Sequence, residues 1–174
     1  MSPYRHTADL PQMIPVFPLD GALLLPGGDL PLQIFEPRYL NIGDDVMAGD
    51  RIFGMIQTRA GGDRERPKLS DVGCAGRITS YAETSDGRYL ITLTGICRFD
   101  AGAELSIPTP YRQLRARYER FEDDLAEQAD VQAPEAARNR FARALKRSLN
   151  RRELDLAWET APSAPLEALV NSLA

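Results

Sequence analysis

Residues 72–100 constrain the fold more than any other stretch. Asp86-Gly87 is a favoured two-residue hairpin turn, and the residues on either side alternate between apolar and polar. With that pair at the turn centre, Ser85 faces Arg88 and Cys74 faces Phe99. One face then carries Cys74, Ile78, Ala82, Tyr89, Ile91, Leu93, Cys97 and Phe99. The other carries Arg77, Thr79, Tyr81, Glu83, Thr92, Thr94 and Arg98. Such a ribbon is half buried, so its apolar side must be covered by other elements. In this register Cys74 and Cys97 sit diagonally on the buried face, roughly 7 Å apart, which is marginal for a bridge. Two reduced core thiols are expected, with a redox switch as the alternative.

Upstream of the ribbon, Gly and Pro divide short apolar runs. Residues 13–19 form the first, followed by Asp20-Gly21, the segment 22–25 and Pro26-Gly27-Gly28. In 30–35 alternation places Leu30, Leu32 and Ile34 on one face, and the prolines predict an edge or irregular strand. Pro37 suits the first position of a helix that runs toward Met47 and ends at Gly49-Asp50. A strand over 51–58 follows, then a charged loop over 60–67 whose composition predicts mobility.

Downstream, a strand is expected over 111–118, after which the composition changes. Residues 119–135 carry seven acids against one Arg, and residues 136–152 carry seven bases and no acid. Pro134 can open a helix in which Ala137, Phe141, Leu145 and Leu149 make an apolar stripe. Arg140, Arg143, Lys146, Arg147 and Arg151 lie opposite, either as a solvated face or as a contact for RNA or an acidic partner. A last helix is expected to bury Leu166, Leu169, Val170 and Leu173.

The chain length of 174 residues suits one domain, or a domain with a small appendage. No aliphatic run approaches the roughly 20 residues of a membrane span, and the first residues lack an apolar signal region, so a cytoplasmic address is expected. A net charge of −4 makes nucleic acid an unfavoured partner for the chain as a whole. The single histidine, His6, leaves histidine triads and multi-histidine metal sites without material. Cys74 and Cys97 have no zinc-ligand spacing. No Gly-Lys pair occurs, which excludes the phosphate-binding loop, and neither G-x-G-x-x-G nor G-x-S-x-G is present. With two lysines, Lys68 and Lys146, a Ser–Lys dyad would need Ser70 or Ser148, and neither is placed convincingly. Asp44-Asp45 and Asp123-Asp124 are adjacent pairs whose side chains diverge. No catalytic residue, cofactor or metal is therefore expected.

One segment is distinctive: Ile14-Pro15-Val16-Phe17-Pro18-Leu19, then Leu24-Leu25-Pro26-Gly27, then Leu30-Pro31-Leu32-Gln33-Ile34-Phe35-Glu36-Pro37-Arg38-Tyr39. Phe53-Gly54-Met55, Gly73, Asp86-Gly87-Arg88, Gly95 and Arg98 extend the pattern. Together these resemble the Lon N-terminal domain family. The resemblance implies an α+β fold, a PUA-like twisted β pseudobarrel over residues 1–120 with a small helical group over 121–174. It also implies a non-catalytic module that recognises unfolded or tagged polypeptides, here without the ATPase and Ser–Lys protease domains that use them. An adaptor role in protein quality control, beside a protease or chaperone, is the corresponding expectation. The family's usual extent implies that a final helix is trimmed after Ala174. Candidate peptide-binding residues are Leu23, Leu24, Leu25, Phe35 and Tyr39: the aliphatic groups of Leu23-Leu24-Leu25 before the Gly-Gly turn cannot all be buried, while the motif residues, Phe17 and Phe35 among them, read alternatively as core. The alternative is an RNA-binding PUA-like protein that uses Arg140, Arg143, Arg147 and Arg151.

Overall fold

The structure, a computed structural model, describes residues 4–63 and 66–126. The helices expected at 134–150 and 166–173 lie outside these residues, as do Arg140, Arg143, Arg147 and Arg151.

Six strands form one sheet in the order β2-β5-β4-β3-β1-β6, with β6 pairing back onto β5. They are β1 (Met13–Pro18), β2 (Asp29–Ile34), β3 (Ile52–Gly62), β4 (Pro67–Glu83), β5 (Tyr89–Glu104) and β6 (Arg112–Arg117). The β5–β6 pairing closes β1, β3, β4, β5 and β6 into a ring. The expected twisted β pseudobarrel is therefore present. β1 runs parallel to β3, while the other pairs are antiparallel.

The long β4–β5 pair serves two cores. One half helps close the barrel around Ile14, Val16, Ile52, Ala75, Cys97, Phe99 and Leu114. The other half, joined by β2, packs with α1 (Pro37–Met47) around Phe17, Leu24, Ile34, Phe53, Ile78, Ile91 and Leu93. Phe99 fills the barrel because Gly54 and Gly73 leave it room: a Cβ on Gly73 would lie 2.5 Å from the ring's Cζ.

The helix matches its sequence expectation at both ends. Pro37 opens it, and Tyr39, Ile42, Gly43 and Val46 form the buried stripe at helical spacing. Past Gly49-Asp50, Arg51 adopts a left-handed conformation (φ 61°), and its N–H reaches the Val46 carbonyl at 2.9 Å. Two phenols fix the helix from outside, Tyr89 to Asp44 at 2.7 Å and Tyr111 to Asp45.

The hairpin register differs from expectation. Gly87 is left-handed (φ 77°) and donates to the Thr84 carbonyl, while the Thr84 N–H donates to the Arg88 carbonyl, each at 2.9 Å. This is a longer turn with a glycine bulge rather than a two-residue turn, so every partner near it shifts by one residue. A second bulge between Ile78 and Ser80 restores the expected pairing parity of Ile78 with Leu93. A third, at Ile96, shifts it again, pairing Ala75 with Cys97 and Cys74 with Arg98. Cys74 and Cys97 consequently do not share a face: Cys74 belongs to the helix-side core and Cys97 to the barrel core. Both are free and buried. Ala82, expected inside, is exposed for the same reason.

Both ends of the predicted loop at 60–67 are strand, since β3 runs to Gly62 and pairs there with Pro67. The apolar run 22–25 is irregular rather than strand. After β6, a 3-10 segment (Glu119–Leu125) packs Phe121 and Leu125 into the barrel core.

Candidate functional site

Among the candidate residues, the structure separates surface from core. Leu24 is 3% exposed and Tyr39 6%, and Tyr39 stacks on Phe17 with ring centroids 4.0 Å apart. Neither can meet a partner, so both are corrected to core residues. Leu25 is half-buried, with its carbonyl lying against Gly95. Leu23 and Phe35 remain exposed, Phe35 at 62% more than any other large apolar side chain described.

Phe35 does not stand alone. Gln33 pairs with Leu90, and Leu90 pairs in turn with Ala82, so the three are neighbours on one outward face. Phe35, two residues beyond Gln33, continues that row, and the Arg88 guanidinium lies 5.9 Å from its ring centroid. Leu90 and Ala82 are both exposed. The β2–β5–β4 ribbon therefore presents Phe35, Leu90 and Ala82 to solvent, bordered by Gln33 and Pro31. Sequence reading missed Leu90, although its position between the inward Tyr89 and Ile91 marked it as an aliphatic side chain turned outward.

Two cations near this face are paired with carboxylates. Arg88 pairs with Asp86 at 2.9 Å and Arg38 with Glu36 at 2.8 Å. Elsewhere, Arg98 and Arg120 both lie over Phe121, at 4.7 and 4.6 Å, each held by a carboxylate, Asp124 and Asp100 respectively.

The titratable groups are engaged in structure. Asp44 and Asp45 accept from different phenols, so they do not converge. Burial, followed by the hydrogen bond to Asp45, pushes Tyr111 up to about 12. Tyr89 is raised first by its hydrogen bond to Asp44. Burial raises both thiols, Cys97 to about 12. Lys68 and Ser70 lie in β4, with Lys68 exposed. Among the described residues no cluster of three or more His, Cys, Asp or Glu could hold a metal ion. None of the helices described there is long and apolar enough to cross a membrane.

The sequence profile of the ATP-dependent protease La (LON) substrate-binding domain matches residues 13–173. The chain belongs to this family. Lon protease 2 of Myxococcus xanthus is 30% identical over 129 residues, which is 72% of this chain and 15% of that protein. Lon protease of Anaeromyxobacter dehalogenans is 28% identical over the same shares. The matched region is thus the Lon substrate-binding domain and none of the remaining length of those proteases. Two solved structures agree. The Lon N-terminal domain protein from Xanthomonas campestris has a TM-score of 0.51 at 25% identity, covering 61% of this chain and 59% of that one. The N-terminal domain of Mycobacterium avium complex Lon protease has a TM-score of 0.57 at 19% identity, covering 92% of this chain and 80% of that one, and supports the fold.

Proposed function

We propose that this Lon substrate-binding domain binds unfolded or tagged polypeptides without catalysing their cleavage, and delivers them to a protease or chaperone as an adaptor. The observation that carries this reading is the exposed row of Phe35, Leu90 and Ala82 on a ribbon packed against α1. Apolar side chains held outward on paired strands can capture apolar segments at little ordering cost. Arg88 and Arg38 are already paired with carboxylates, which makes them poorer partners for the phosphates of RNA and favours a polypeptide.

The test is fluorescence anisotropy with two labelled probes, a permanently unfolded polypeptide and a single-stranded RNA. Saturable binding of the polypeptide, weakened by the Phe35→Ser/Leu90→Ser double variant, is expected. Saturable binding of RNA alone would replace this reading with the nucleic-acid alternative.

A further inference from the structure

The free edge of β2 offers more than an apolar face. Gly95 donates its N–H to the Gly28 carbonyl at 2.8 Å and accepts from the Gly27 N–H at 2.9 Å. The main-chain groups of Gly95 therefore point toward the β2 side. Alternation along β5 carries that direction to Leu93, Ile91 and Tyr89, which pair with Leu30, Leu32 and Ile34. The main-chain groups of Pro31 and Gln33 must then turn to the opposite edge. Pro31 fits this phase, because a residue without an N–H costs nothing there and would cost a ladder bond on the β5 side. Among the described residues no strand pairs with that edge.

We propose that this edge receives an extended segment of polypeptide as an added strand, centred on Gln33 between Pro31 and Phe35. The proposal rests on the polypeptide-binding reading above and specifies how the segment is held. Gln33 supplies one N–H and one C=O, and Pro31 supplies a further C=O, a pattern that matches another extended main chain. Side chains from alternate residues of the guest would fall on opposite faces of the ribbon. On one face they meet Phe35 and Pro31, and on the other the half-buried Leu30 and Leu32. The guest is thus an uncharged, β-prone segment with apolar residues on both faces, of the kind found in the interior strands of unfolded proteins. Pro31 limits its length: the guest carbonyl opposite it finds no donor. A short pairing of few main-chain bonds gives reversible capture, which suits a site that must release its guest.

The experiment uses the full chain and a short fluorescein-labelled peptide rich in Val, Leu and Thr. Gln33→Pro removes the outward N–H while leaving the groups bonded to β5 in place. It is expected to weaken peptide binding about tenfold or more, with a thermal midpoint close to wild type. As a check that leaves the protein untouched, the same peptide N-methylated at alternate residues in one phase should lose binding, and in the other phase keep it. Loss with both N-methyl phases, or with neither, overturns strand addition, as does undiminished binding by a folded Gln33→Pro. If the wild-type chain binds neither this peptide nor a larger unfolded polypeptide, the polypeptide-binding reading itself fails, a result distinct from failure of the edge alone.

Discussion

A Cβ on Gly95 would lie 2.1 Å from the main-chain oxygen of Leu25. The segment between β1 and β2 crosses β5 at this glycine, closely enough for Gly95 to exchange hydrogen bonds with Gly27 and Gly28. Gly76 opens the other half of the crossing, where a Cβ would meet the Leu24 side chain at 2.7 Å. The crossing seats Leu24 in the helix-side core and starts β2 in register with β5.

Gly95→Ala is therefore expected to destabilise the protein by about 2 kcal/mol or more, since backbone rather than a flexible side chain must move. Urea melts measure it. A change below about 0.5 kcal/mol would mean that the loop does not cross there.

Leu23 and Leu24 are sequence neighbours with opposite environments, 45% and 3% exposed. Leu24→Ala is expected to cost about 2–5 kcal/mol. Leu23→Ala should stay within about 0.5 kcal/mol. Equal costs in parallel melts would refute the assignment of one to the core and the other to the surface.

Two ion pairs test what holds Glu119–Leu125 down. Asp124 is 9% exposed and accepts from the Arg98 main-chain N–H and from its guanidinium at 2.6–2.9 Å. Asp124→Ala should cost about 1–3 kcal/mol, because charged hydrogen bonds and the packing of Phe121 go together. Asp71, 78% exposed and paired with Arg59, should matter by well under ~1 kcal/mol when changed to Asn. If the two variants melt alike, Asp124 is not the clasp described.

Alkali should unfold this protein sooner than its neutral-pH stability suggests. Unfolded thiols and phenols release their protons near 9.0 and 10.0, whereas in the folded chain Cys97 and Tyr111 hold theirs to about 12. Burial raises Cys74 and Tyr118 likewise. Groups with a raised folded value contribute stability below the unfolded value and lose it as pH climbs toward the folded one. Denaturant midpoints should be level from neutrality to about pH 9 and fall steadily above it, with Tyr111→Phe reducing the slope above pH 10. A flat profile across that window would contradict the burial of these groups.

Much of this fold was legible from local chemistry. Pro37 and the stop at Gly49-Asp50 set the ends of α1 without help from the rest of the chain. The Leu30, Leu32, Ile34 alternation and the misplaced-looking Pro31 identified β2 as an edge strand. The family resemblance carried the barrel. What local chemistry could not supply was the register of the hairpin and the choice among exposed leucines. A turn of type Asp-Gly is compatible with two loop lengths, and the choice depends on how Thr84 caps its own turn and on bulges at Ile78/Ser80 and Ile96.

The candidate site divides the same way. Sequence alone indicated that the leucines before Gly27-Gly28 outnumber the core positions available to them, because a tight turn has limited buried area, but it read Phe35 equally as core, which its 62% exposure overturns. Only the tertiary structure decided which ones stay outside. Gly76 and Gly95 admit Leu24 into the core, Phe17 takes Tyr39, and the one-residue shift at Gly87 brings Leu90 and Ala82 outward beside Phe35. Side-chain periodicity of two makes every strand position a choice between two faces. A single bulge reverses that choice, and its position is set by contacts between residues far apart in the chain.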